Sequence, residues 1–255
     1  MGAEKIASGH YCRLEGDGEK RRLLQGRDKE KEQSYFLALL PRTCLATVCF
    51  PVGHLTKTEV LQLARKKGLR PAAAKESQDI CFIPAGTSCS AFIAGQGRQL
   101  PPAGRIEDMQ GNILGEHPGI QYFTVGQRRG INCPAQRPYY VAALDAARNR
   151  VRVGFREELR VGNCTVEKMN WLIAPPRAPL PVTVKVRYRQ PATAALAIPL
   201  GDDRVGLVFS QPQFGIAPGQ GAVLYDGEGV VGGGIIRKPL ESSGNENLSD
   251  KNPGL

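Results

Sequence analysis

Histidine is scarce in this chain of 255 residues: there are only three, His10, His54 and His117, far apart in sequence. Seven cysteines stand at positions 12, 44, 49, 81, 89, 133 and 164, and no two form a CxxC pair. Together these absences argue against a structural zinc site and a metal-centred enzyme, and the odd, scattered cysteine set argues against a secreted disulfide scaffold. Long apolar runs are also missing. The most apolar region, residues 35–50, is interrupted by Pro41 and Arg42 and is too short to span a bilayer. The first residues, Met-Gly-Ala-Glu-Lys, lack the apolar core of a signal peptide. These features predict a soluble cytoplasmic protein with no membrane partner.

Acidic residues are outnumbered, with 24 Asp plus Glu against 34 Lys plus Arg, so the formal net charge is +10. Such an excess fits a polyanionic partner, nucleic acid before a membrane surface, or serves solubility alone. Hydrophobic content of 41% is enough to build a core.

Local patterns divide the chain into four parts. Residues 1–84 read as mixed α/β. Thr56-Lys57-Thr58-Glu59 has capping-box spacing ahead of Val60, Leu61, Leu63 and Ala64, and Gly68 is placed to end that helix. A second helix is expected over residues 33–40, stopped by Pro41, with short strands at 22–24 and 80–83. These strands are too few to close an α/β sheet, and the chain enters at Ile6 to His10 as if in mid-fold.

Residues 85–160 are dense in Gly and Pro at their start and then show two hairpins, one turning at Met109-Gln110-Gly111 and one at Ala147-Arg148-Asn149. This predicts a small central β-rich domain. Residues 161–240 contain an alternating strand at 181–189, where Val182, Val184, Val186 and Tyr188 face one way and Thr183, Lys185, Arg187 and Arg189 the other. Further short strands at 194–198, 205–209, 222–225 and 230–236, with an Asp226-Gly227 turn, suggest a C-terminal β-barrel. Gly232 to Gly234 are read as a bend or close packing, because no helix follows to bind phosphate. Residues 241–255 are polar and expected to be disordered.

Among the thiols, Cys81 stands out, set in Glu76-Ser77-Gln78-Asp79-Ile80-Cys81-Phe82-Ile83 between polar residues and a short apolar strand. Lys75 would favour its thiolate and Asp79 would oppose it. The alternative reading is a small buried hydrophobe.

Several segments, in order along residues 1–237, resemble the tRNA-specific 2-thiouridylase family. They are Ser8-Gly9-His10-Tyr11, Lys31-Glu32-Gln33-Ser34-Tyr35-Phe36, the Cys81 segment, Gly115-Glu116-His117 with Thr124 to Gly130, Val186 to Gln190, Pro218-Gly219-Gln220, and Gly232 to Ile236. The resemblance implies a tRNA-uridine 2-sulfurtransferase, and a fold class of α/β plus β. In that reading 1–84 is an incomplete adenylation domain of ATP-pyrophosphatase type and 85–160 a central β-rich tRNA-binding domain.

What the family does implies the chemistry: ATP, with Mg2+, adenylates the 2-carbonyl of the wobble uridine, and a cysteine persulfide delivers sulfur there. A second cysteine, able to form a disulfide bond, completes the pair. Cys81 corresponds to the persulfide carrier and Gly9 to an ATP-site glycine. His10, Lys31, Glu32, Gln33, Arg187, Tyr188 and Gln220 correspond to tRNA contacts, and the implied partners are tRNA and a sulfur-donor protein, a cysteine desulfurase or relay.

Read as residues alone, His10 also fits a structural role, Lys31 and Glu32 a solvated helix start, and Tyr188 a core position with its hydroxyl outward. The family's SGGVDSS-type loop and first catalytic cysteine have no counterpart here, and Glu32 replaces an Asp. None of Cys12, Cys44, Cys49 or Cys89 is assigned as the partner of Cys81. Two further readings stay open: an inactive tRNA-binding module, and a cysteine-based redox or sulfur-carrier protein without RNA.

Overall fold

The computed structural model describes residues 2–69, 83, 84, 86, 87, 89–96 and 100–237. Cys81, residues 80–82 of the strand expected over 80–83, and the tail 241–255 lie outside the described residues; Ile83 lies in a bend.

The N-terminal segment contains two short parallel strands, β1 (Ile6–Ala7) and β4 (Val48–Cys49), and an antiparallel hairpin of β2 (Cys12–Glu15) and β3 (Arg22–Gln25). The helix expected over 33–40 is one turn, α1 (Ser34–Leu37). Its short length has a physical cause beyond Pro41. The Asn170 amide donates to the Ala38 and Leu40 carbonyls, both at 2.9 Å, satisfying the backbone where the helix stops.

Helix α2 (Lys57–Lys66) forms as the sequence predicts: Thr56 Oγ1 accepts from the Glu59 amide at 3.3 Å, and the Glu59 carboxylate accepts from the Thr56 amide at 2.7 Å. The chain then leaves the helix through Gly68 at φ +65°. A third helix, α3 (Cys89–Gly95), was not expected.

The central region is a four-stranded sheet, ordered β6, β5, β8, β7, built from β5 (Gly104–Glu107), β6 (Ile113–His117), β7 (Tyr140–Asp145) and β8 (Arg150–Gly154). Both expected hairpins are present, joined through parallel pairing of β5 with β8. Ile106, Phe123, Ile131, Val141, Val151 and Val153 form its core.

A closed antiparallel barrel of six strands follows: β9 (Arg160–Trp171), β10 (Leu180–Lys185), β11 (Thr193–Gly201), β12 (Arg204–Phe214), β13 (Gly221–Asp226) and β14 (Gly229–Ile236). The ring runs β9, β12, β11, β10, β13, β14 and back to β9. Closure leaves no open edge within that ring. The glycines of β14 allow it to press against β9: a Cβ at Gly234 would sit 2.6 Å from Val166 and 2.8 Å from the Glu167 carbonyl.

One expectation is corrected here, and one strand was not expected. The strand read over 181–189 ends at Lys185, so Arg187 and Tyr188 occupy the turn after it, off its basic face. The longest strand, β9, escapes the alternation pattern because Lys168 at φ +52° bulges it, moving the buried set from Cys164 and Val166 to Met169.

The N-terminal segment packs on the outside of this barrel. Cys12, Leu23, Ala38, Leu45 and Phe50 share a core with Leu172, Val223, Tyr225 and Val230. Strand β3 also pairs with β14, extending the barrel's sheet.

Candidate nucleic-acid interface

Where the N-terminal segment meets the barrel there is a cleft of about 870 Å³. One wall is the loop 29–33 with Gly9 and Tyr11 below it, and the other is the turn 188–191 with Lys185. Five cationic side chains, Lys29, Lys31, Lys57, Lys185 and Arg189, face it against the carboxylates of Glu30 and Glu32. An anionic ligand fits that balance.

The loop is held by Asp28. Its Oδ1 accepts from the amides of Glu30 and Lys31, and its Oδ2 accepts from the Lys57 amide at 2.9 Å, which joins the loop to the start of α2. Those backbone donors, Lys57 first, hold the Asp28 carboxyl below its usual range. Lys57 in turn sits 5.9 Å from the Tyr11 ring centroid.

Glu32 is 4% exposed. Its Oε1 accepts from the Ser34 amide at 2.5 Å, while Oε2 has no hydrogen-bond partner and lies 3.7 Å from Lys185 Nζ. The Tyr188 hydroxyl donates to the Glu32 carbonyl at 3.1 Å, and its ring lies 4.4 Å from that of Phe36. Gln33 is bound twice to Tyr11: its side chain accepts from the Tyr11 amide and its own amide donates to the Tyr11 carbonyl, both at 3.0 Å. The Glu32 contacts with Tyr188 and Lys185 fix the two walls to each other.

Of the residues singled out from the sequence, Gly9, Lys31, Glu32, Gln33 and Tyr188 line this one cleft. Gly9 follows the carboxyl end of the parallel strand β1, where ligands of open α/β sheets bind, and a Cβ there would meet no atom within 4 Å. His10 adjoins it, with Nδ1 2.7 Å from Ser8 Oγ and its ring edge-on to Phe50.

Arg187 and Gln220 are not among the lining residues. The Arg187 guanidinium donates from Nη2 to the carbonyls of Val125 at 2.5 Å and Gly215 at 2.8 Å, so it ties the central region to the barrel. Burial lowers its pKa, with Tyr35 acting in the opposite sense. Gln220 is exposed in the turn before β13, next to Gly221, whose carbonyl accepts from the Tyr35 hydroxyl at 2.9 Å.

Tyr11, Lys29, Phe36, Lys57 and Arg189 also line the cleft and were not assigned there from sequence. The surplus of Lys in 29–31 was the available signal; nothing local marks Lys57, which folding brings in from α2.

Cys12, Cys44, Cys49, Cys133 and Cys164 are free. Burial pushes the Cys12 and Cys164 thiols up to about 12, with Glu32 adding to the effect on Cys12, and burial also raises that of Cys133. These three are poor nucleophiles. Among the described residues no group of three or more His, Cys, Asp or Glu is placed to hold a metal ion. No described helix is long and apolar enough to cross a membrane.

Comparison with known proteins follows the same divisions. Three family models match: the tRNA methyl transferase HUP domain over residues 1–85, the tRNA methyl transferase PRC-barrel domain over 90–155, and the aminomethyltransferase beta-barrel domain over 161–236. Similar curated proteins include three called tRNA-specific 2-thiouridylase MnmA. That of Desulfosudis oleivorans is 51% identical over 237 residues, 93% of this chain and 66% of the relative. The Synechocystis protein is 46% identical over 239 residues, 92% of this chain and 66% of the relative. The Nostoc punctiforme protein is 44% identical over 241 residues, 93% of this chain and 68% of the relative. The chain thus spans about two thirds of the length of the curated relatives it matches. With this identity running through all three regions, the chain belongs to the tRNA-specific 2-thiouridylase family.

Proposed function

We propose that this chain takes part in 2-thiolation of the wobble uridine of tRNA, with the cleft between the N-terminal segment and the barrel as its RNA site. The observation that carries this reading is the convergence of Gly9, Lys31 to Gln33 and Tyr188, from three separate stretches of the sequence, on one cationic cleft. Lysines and Arg189 supply phosphate contacts, and Tyr188 and Phe36 offer aromatic surface to an unstacked base.

ATP is the second substrate in this reading. Gly9 leaves backbone open at the end of β1, and the nearby lysines offset phosphate charge. Adenylation turns the uridine 2-oxygen into a leaving group. The terminal sulfur of a persulfide on Cys81 then forms the bond to C2 as AMP departs, carrying the oxygen with it. A thiol cleaving the remaining sulfur–sulfur bond frees the thiouridine and is left in a disulfide, which a cellular reductant resets. Cys81 is assigned by its motif, with the sulfur supplied by a cysteine desulfurase or relay protein.

The test is sulfur loading. Incubation with a cysteine desulfurase and labelled cysteine is expected to place reductant-labile label on the wild-type chain and none on Cys81→Ser. Equal labelling of the two chains would remove Cys81 from the reaction. Binding of tRNA by a chain that takes up no label would favour a binding module over a sulfurtransferase.

A further inference from the structure

The loop 124–130 in the central region carries adjacent arginines that the cleft does not use. It is a preformed loop. Its backbone is pinned to β7 by Gly126 N to Val141 O at 2.7 Å and Val141 N to Gln127 O at 2.9 Å. The Gln127 side chain bridges its two ends, accepting from the Thr124 amide at 2.9 Å and donating to the Arg129 carbonyl at 2.8 Å. Gly126 at φ +82° and Gly130 at φ +79° make the turns, conformations costly for other residues.

At the tip, Arg128 and Arg129 are exposed, and neither is ion-paired with a described residue. Arg128 shares a groove of about 410 Å³ with Arg137 and Tyr139. The base of the loop is where Arg187 attaches. Its guanidinium bonds the Val125 carbonyl, and a Cβ on Gly126 would lie 3.1 Å from Nη2, so the glycine makes room for it. Arg187 immediately precedes Tyr188 and Arg189, which line the cleft. Arg187 therefore helps to set the position of the loop relative to the cleft, beside the Tyr140–Phe214 ring contact at 5.3 Å.

We propose that Arg128 and Arg129 form a second contact to the RNA backbone, held in register with the cleft by Arg187 as a positioning residue. Two exposed cations on a loop held by its own hydrogen bonds bind phosphates without the ordering cost a flexible loop would bring. Arg187, expected as a phosphate ligand, instead directs its Nη2 to two protein carbonyls. The proposal rests on the reading of the cleft as a tRNA site.

The experiment measures affinity of the full chain for unmodified tRNA across a salt series. Arg128→Gln with Arg129→Gln, at exposed positions that leave the fold intact, is expected to weaken binding at low salt. It should also reduce the slope of log K against log salt by about 1.4 to 1.8, the value for two lost phosphate contacts. Arg187→Lys, which keeps the charge, is expected to weaken binding in the wild-type background and to have no further effect in the double variant. Wild-type binding with an unchanged slope in the double variant overturns the second contact. An equal effect of Arg187→Lys in both backgrounds overturns its positioning role. If the wild-type chain binds no tRNA, the cleft reading and this proposal both fall.

Discussion

The barrel and the N-terminal segment are built on opposite plans. Each barrel strand finds both neighbours within residues 160–236, and the core inside the ring is drawn from the barrel alone. The N-terminal strands are two to four residues long, and their apolar side chains are covered by the outer face of β13 and β14. The barrel is thus a platform and the segment a layer docked on it, and the cleft lies along the seam. A site formed at such a seam depends on docking as much as on its own residues.

Replacing Tyr225 separates the two plans most strongly. It is 1% exposed and packs beneath the segment, with its hydroxyl 3.4 Å from Ser34 Oγ. Tyr225→Ala is expected to cost about 3 to 5 kcal/mol. In hydrogen exchange, amides of β2, β3 and α1 should lose protection while those of β10 to β12 keep it. Uniform loss would mean that the segment and barrel open as one unit.

A smaller effect is expected at Asn170, whose amide holds the Ala38 and Leu40 carbonyls. Asn170→Ala should lower stability by about 2 kcal/mol, two lost hydrogen bonds, read from urea unfolding. An unchanged midpoint would show that these carbonyls find other partners.

Thiol reactivity gives the finest comparison. At pH 8 the Cys12 thiol, in the core between segment and barrel, and the Cys164 thiol inside the barrel, both pushed by burial up to about 12, stay protonated and resist iodoacetamide. Opening of the segment alone should release Cys12 and leave Cys164 slow, so mild urea is expected to separate their alkylation rates by mass spectrometry. Parallel rates at every urea concentration would contradict separate opening.

The same contrast explains what was legible. Barrel strands and central hairpins are visible because alternation and turn residues act within a few positions, as in Val182 to Val186 or Asp226-Gly227. Helix α2 is visible through its cap. Strands β1, β2 and β4 are not, since two to four residues carry no period and their partners are remote. Strand β9 is hidden by its own bulge.

At the site, the resemblance assigned roles to five of the lining residues, but what each does depended on three dimensions. Glu32 reads as a solvated charge and is buried against Ser34 and Lys185; Arg187 reads as exposed and is engaged by carbonyls of two regions. Lys57 reaches the cleft through the fold, by the Asp28 bridge to α2 and its place over Tyr11.

The most direct measurement is photo-crosslinking of bound tRNA from two exposed positions. Phe36, 56% exposed, lines the cleft, whereas Val208, 39% exposed on β12, does not. A benzophenone side chain at position 36 is expected to crosslink near the wobble uridine, and the same group at 208 to give no such product. Crosslinking from 208 with none from 36 would contradict the placement of RNA at the seam.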